Sequence, residues 1–209
     1  MKFLKVLLLP SLIFSASLSP VLAESVTAHE LPGEKVAETV PTEKVEIVDA
    51  SYGGSGCPNG TASVNVSPDG QELSILFDEF AAFGKNRRES RKSCNLTIPI
   101  KVPQGFQISL FDADYRGYVA PKTKGKLRAE YFFAGTRGPV FQRLFKGETE
   151  YNVRDKLATV ADVWSACGDS VNMRVNASMK ARGKGMATVD SFDLAHRGLV
   201  YHVKYRACQ

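Results

Sequence analysis

Period-two alternation of apolar and polar residues, Gly and Pro at intervals of roughly ten residues, and an even set of four cysteines predict one fold class. It is all-β: an antiparallel two-sheet β-sandwich in a single domain reinforced by disulfides. Strict alternation is what a sheet needs when one face is packed and the other is wet.

The strands follow in order. Val45-Glu46-Ile47 opens the domain and Tyr52-Gly53-Gly54-Ser55-Gly56 breaks it. Ser63 to Ser67 alternates, and Ser67-Pro68-Asp69-Gly70 has Pro and Gly where a tight reversal wants them. Leu73 to Phe80 is β-rich. Leu96 to Val102 alternates around Pro99, which predicts an edge strand or a bulge because proline cannot donate to a ladder. Phe106–Phe111, Leu127–Phe133, Val140–Phe145 and Glu150–Val153 are further candidates, separated by Gly135, Gly138 and Gly147. Val171 to Met179 has a clean period of two. At the C-terminus Leu199, Tyr201, Val203 and Tyr205 face one way, His202, Lys204 and Arg206 the other. Only Asp155–Val160 and Phe80–Gly84 could hold a helical turn.

The N-terminus reads differently. Lys2 and Lys5 precede an apolar stretch from Phe3 to Phe14, and Val21-Leu22-Ala23 closes it, the layout of a secretory signal peptide over residues 1–23. Pro10 and Ser11 interrupt the run, which is too short to span a bilayer, and no later segment is apolar enough to do so. Residues 24–44 hold Pro32, Gly33, Pro41 and scattered acids without periodicity, the composition of a flexible acidic linker. The sandwich domain is expected over residues 45–209. Export fits the periplasm or the extracellular medium.

In an exported chain Cys57, Cys94, Cys167 and Cys208 imply two disulfides, with no Cys-x-x-Cys pair to suggest redox or zinc chemistry. Three connectivities are possible. The sequential one, Cys57–Cys94 and Cys167–Cys208, is expected because each pair brackets a strand group. Loops of about forty residues give roughly 4 kcal/mol each in the chain-entropy account.

The whole chain carries a net charge of +5, but residues 24–50 contribute −5 and the leader +2, which leaves +8 on residues 51–209. A basic body suits an acidic ligand. No run of five basic residues exists, and no nucleic-acid partner is expected.

Chemistry-bearing motifs are sparse. Asp112-Ala113-Asp114-Tyr115-Arg116-Gly117 begins like a calcium loop, but Arg116 and Thr123 stand where an oxygen ligand and a bidentate acid are required. Asp114 is expected to pair with Arg116 or with backbone donors where the chain turns at Gly117. His29, His196 and His202 offer too few ligands for zinc. Asp78-Glu79 point to opposite faces of a strand, and no Gly-x-Ser-x-Gly occurs. No catalytic residue, metal site or cofactor is therefore assigned. Trp164, three residues before Cys167, reads as core packing. Tyr115, Arg116 and Tyr118 are the candidate binding residues, since aromatic and Arg side chains offer contact area at low entropic cost.

Gly54-Ser55-Gly56-Cys57-Pro58-Asn59-Gly60, Ser90-Arg91-Lys92-Ser93-Cys94, Ala113-Asp114-Tyr115-Arg116-Gly117-Tyr118 and Val163-Trp164-Ser165-Ala166-Cys167-Gly168 occur in that order. With a final aromatic-basic strand ending at Cys208, the chain resembles the family catalogued as domain of unknown function 4360. The likeness covers most of residues 45–209. It implies a small secreted protein with a disulfide-bearing β domain, and it transfers no activity and no catalytic residue. Where that family usually has Pro before the third cysteine, this chain has Ala166, which touches only the local turn.

The reading is a non-catalytic binding or surface-interaction module for an extracellular or envelope ligand, with a secreted hydrolase or an inhibitor of a secreted enzyme as alternatives. A hydrolase should show a deep cleft with convergent carboxylates or histidines, a binding module a shallow patch with exposed Tyr and Arg.

Overall fold

Alternation decides which side of each strand is buried. In the computed structural model, residues 91–101 and 123–133 bury every second side chain against a shared core, and so do most of the other strands. The structure describes residues 41, 43–157, 162–168, 170–194 and 204–208. In chain order these hold β1 (Glu46–Ile47), β2 (Ser51–Gly53), β3 (Ala62–Val66), β4 (Leu73–Phe77) and β5 (Ala81–Phe83). Next come β6 (Arg91–Lys101), β7 (Phe106–Ile108), β8 (Ala113–Val119), β9 (Thr123–Phe133) and β10 (Val140–Lys146). The last are β11 (Thr149–Asp155), β12 (Ser170–Gly183), β13 (Met186–Thr188), β14 (Ser191–Leu194) and β15 (Tyr205–Ala207).

The first sheet runs β1-β6-β12-β9-β10, with β2 also on β6, all antiparallel. Glu46 faces Lys101 while Ser51 faces Thr97, so the edge strand slips register by one residue between β1 and β2. Pro99 lies opposite that slip. Its carbonyl accepts from the Val48 amide at 3.0 Å, and its missing N–H is directed to the same irregular neighbour. The bulge expected from Pro99 is present in the partner strand; β6 itself is paired on both sides and is no edge.

The second sheet runs β3-β4-β14-β8, with β11 on the far side of β8 and the β13–β5 pair continuing β14 and β4. Phe80–Gly84 forms the strand β5 and not a helical turn, because Ala81, Ala82 and Phe83 pair with Thr188, Ala187 and Met186. Of residues 155–160, those from 158 on lie outside the described residues. So do residues 195–203, with His196, His202, Leu199, Tyr201 and Val203, and so do the leader and nearly all of the linker, with His29. A third, two-stranded sheet pairs β15 with β7.

The two main sheets pack through an aromatic layer. Tyr115 stacks on Phe141 with centroids 6.1 Å apart and lies 5.2 Å from Phe192; Phe145 stacks on Tyr151 at 4.2 Å. Disulfides join Cys57 to Cys94 and Cys167 to Cys208, the sequential pairing. Trp164 is only half-buried, with the Arg206 guanidinium 4.5 Å above its ring and its indole N–H donating to Asp162 at 2.6 Å, so it is not part of the inner core. No helix among the described residues is long and apolar enough to cross a membrane.

Candidate functional site

Strand β8 sorts the three candidate binding residues onto two faces. Ala113, Tyr115, Gly117 and Val119 point inward, while Asp114, Arg116 and Tyr118 point outward. Tyr115 is wholly buried, and its hydroxyl shares a 2.7 Å hydrogen bond with that of Tyr131. It belongs to the core, which corrects the expectation that it lines a surface: residues one apart on a strand cannot share a face. Arg116 and Tyr118 do share the outer face. Tyr118 leans toward Glu148, to which its hydroxyl donates at 3.2 Å.

Pairing across the second sheet places a continuous polar row beside Arg116. Asn65 faces Ser74, Ser74 faces Asp193, Asp193 faces Asp114, and Asp114 faces Arg154. A second row runs Ser63, Leu76, Ser191, Arg116, Asn152. Asp114 takes a two-pronged contact from Arg154, Nε to Oδ1 at 2.8 Å and Nη2 to Oδ2 at 2.7 Å, and not the Arg116 pairing that the sequence suggested. Asp193 accepts from the Ser74 hydroxyl through Oδ1 and from the Ser191 hydroxyl through Oδ2 at 3.0 Å. The Arg116 guanidinium stands 3.9 Å from Asp193 Oδ2, with its side chain 52 % exposed. It is held at one end and open at the other.

These rows border a groove of about 340 Å³ lined by Asn65, Glu72, Ser74, Asp114, Arg116 and Asp193, among others. Val66, Leu73 and Leu194 also border it, with their side chains turned to the inner face of the sheet. Both oxygens of Asp114 and of Asp193 already accept hydrogen bonds, so the groove presents a pre-set pattern of acceptors and donors. Of its residues Asp114 and Arg116 belong to the segment singled out for chemistry in the sequence. Asn65 and Ser74 face each other across the β3–β4 hairpin, and Asp193 comes from β14, more than a hundred residues later, so only the register of β14 brings it beside them. Among the described residues no group of three or more His, Cys, Asp or Glu side chains is placed to hold a metal ion.

A family model described as "Domain of unknown function (DUF4360)" matches residues 43–208. A protein of Arthroderma benhamiae described as an uncharacterized secreted protein is 34% identical over 193 residues, which cover 86% of this chain and 78% of that protein. Two solved carbohydrate-binding modules show weak likeness. TmCBM61, in complex with β-1,4-galactotriose, is 11% identical with a TM-score of 0.32, over 70% of this chain and 88% of that one. The family 11 module of Clostridium thermocellum, with a mixed-linked tetrasaccharide, is 10% identical with a TM-score of 0.23, over 72% of this chain and 95% of that one. Likeness at these scores says nothing of ligand.

Proposed function

The chain belongs to the domain-of-unknown-function 4360 family and is secreted, and from that premise we propose that it is a non-catalytic binding module, exported by residues 1–23, whose outer-face groove takes a polyhydroxylated ligand such as a neutral glycan. The observation that carries this reading is the row Asn65, Ser74, Asp193, Asp114, Arg154 beside Arg116. It offers carboxylate acceptors, hydroxyls and guanidinium donors at the spacing of neighbouring strands, about 4.8 Å. Vicinal hydroxyls can accept from a guanidinium and donate to a carboxylate at once, so a fixed row of this kind suits them. Rigid strands hold the groups in place, which limits the ordering cost of binding.

The test is titration calorimetry against neutral β-linked oligosaccharides with the native protein and Arg116→Ala. Hydrogen bonds to a charged group contribute about 1.5 kcal/mol or more, so the variant should bind roughly tenfold more weakly. Its melting temperature should stay within a few degrees, because the side chain is exposed and Asp193 keeps both Ser donors. Unchanged affinity, or collapse of the fold, refutes the assignment of Arg116. Asp114 and Asp193 lie directly opposite each other, which favours a hydrolase as the second reading. Release of reducing ends from the same oligosaccharides would establish it in place of the first.

A further inference from the structure

The other main sheet carries a different chemistry on its outer face. Near the turn between β10 and β11, Lys146 lies opposite Lys124, and Lys124 lies opposite Arg182. One row along, Lys126 faces Lys180, which faces Arg91 on its other side. Burial follows the same alternation: Thr123, Gly125, Leu127, Met179 and Ala181 point into the core, so the intervening basic residues point out. Like charges directly opposite one another work against a sheet. Among the described residues no acidic group lies within 4 Å of Lys124, Lys126, Lys146, Lys180 or Arg182. The chain thus keeps, among the described residues, an arrangement that costs stability and that no acidic partner neutralises.

Two shallow depressions, of about 520 Å³ and about 320 Å³, lie on this face and share Lys124 and Arg182. The cations spread over three strands, with about 4.8 Å between strands and about 6.8 Å between alternate residues. One small anion could reach two or three of them, whereas a chain with a charge at every repeat could meet them in succession. Export narrows the polymer. Anionic phospholipid is concentrated on the cytoplasmic leaflet, away from a secreted protein. We infer that this face binds a linear acidic polysaccharide, its uronate or sulfate groups lying along Lys146, Lys124 and Arg182 and along Lys126 and Lys180. The site stands apart from the groove on the second sheet and does not depend on it.

The experiment measures binding of the secreted protein to polygalacturonate and to heparin over a range of salt, with uncharged dextran as control. Binding should weaken steeply with salt, because the contacts are exposed charges. Lys124→Gln/Lys146→Gln/Arg182→Gln should weaken it about 100-fold, at roughly fivefold per cation. A second variant, Lys126→Gln/Lys180→Gln, should weaken it about 25-fold on the same scale. Neither should melt lower than the native protein, since both relieve like-charge opposition. Lys44→Gln/Arg137→Gln/Lys204→Gln removes the same charge from exposed positions away from these rows and should leave binding unchanged. Equal loss in both triple variants, failure to bind either polysaccharide at low salt, or tighter binding to duplex DNA or to anionic vesicles at matched salt would each overturn the inference. Binding of neutral oligosaccharides should be untouched in all three variants, which separates this result from the fate of the groove.

Discussion

Asp155 closes β11 with its side chain turned inward, where burial pushes its carboxyl up to about 6. The Tyr131 hydroxyl bonds to it and holds the charged form, Asp112 opposes that form, and Arg143 favours it. Among the described residues, its Oδ2 is buried with no hydrogen-bond partner. Tyr131 in turn holds Tyr115, and desolvation raises both phenols well above their ordinary range. The sign of the pH effect follows. Below about pH 4 the carboxyl is protonated both folded and unfolded. Between about 4 and 6 the unfolded chain releases the proton and the folded chain keeps it, so stability falls as pH rises through that window and is flat above it. Asp155→Asn should therefore flatten the melting temperature across the window and raise it by several degrees at pH 7.5. Thermal melts from pH 4 to 7.5 check this, and a variant with the native slope would show that another group sets it. At this scale the sequence suggested a surface position for both Arg116 and Tyr115, and the structure exposes the first and buries the second. Residue type marked both as binders, but only the strand's phase separates them, and the phase of β8 depends on which side Phe141 and Phe192 occupy.

Elements with unbroken alternation, such as β6, β9 and β12, could be read directly, because each has one wet and one packed face. The segments β13 and β14 went unread. They are three and four residues long, and β14 is buried at Ser191, Phe192 and Leu194, so its pattern has little contrast to offer. Yet β14 lies between β4 and β8 and contributes Asp193 to the groove, so missing it hid the site. Gly117 misled in the opposite direction. It resembles a turn residue but sits mid-strand, where a Cβ would come 2.4 Å from the Thr188 carbonyl oxygen and 2.4 Å from the Tyr151 hydroxyl. That hydroxyl donates to the same carbonyl at 2.5 Å, so neither group can retreat without losing the bond. Gly117→Ala should cost about 1–3 kcal/mol, as overpacking usually does, and lower the midpoint of chemical denaturation accordingly. A midpoint equal to the native one would mean that β8 and β11 part more easily than their pairing suggests.

Among the described residues, one sheet shows water a row of matched polar groups and the other a row of unmatched cations. Burial among the described residues begins at Val45. Val45 and Ile47 are 3 % and 1 % exposed, the Val45 amide lies 3.3 Å from the Tyr205 hydroxyl that accepts from it, and the Val45 carbonyl accepts from the Gln71 side chain. Lys101 pairs with Glu46 at 3.1 Å, an exposed contact of little weight beside the burial of its neighbours. Removing residues 24–42 should leave the melting temperature nearly unchanged, because a segment without apolar periodicity takes little surface out of water. Removing residues 24–50 strips β1 with the inward side chains of Val45 and Ile47, whose burial contributes about 1.5–3 kcal/mol apiece, and uncovers the end of β6 that β1 covers. The shorter chain should melt several degrees lower and, with that strand edge open, associate at high concentration. Calorimetry and light scattering on the two truncations separate the cases. A large loss on removing residues 24–42 alone would move the start of the domain into the acidic segment.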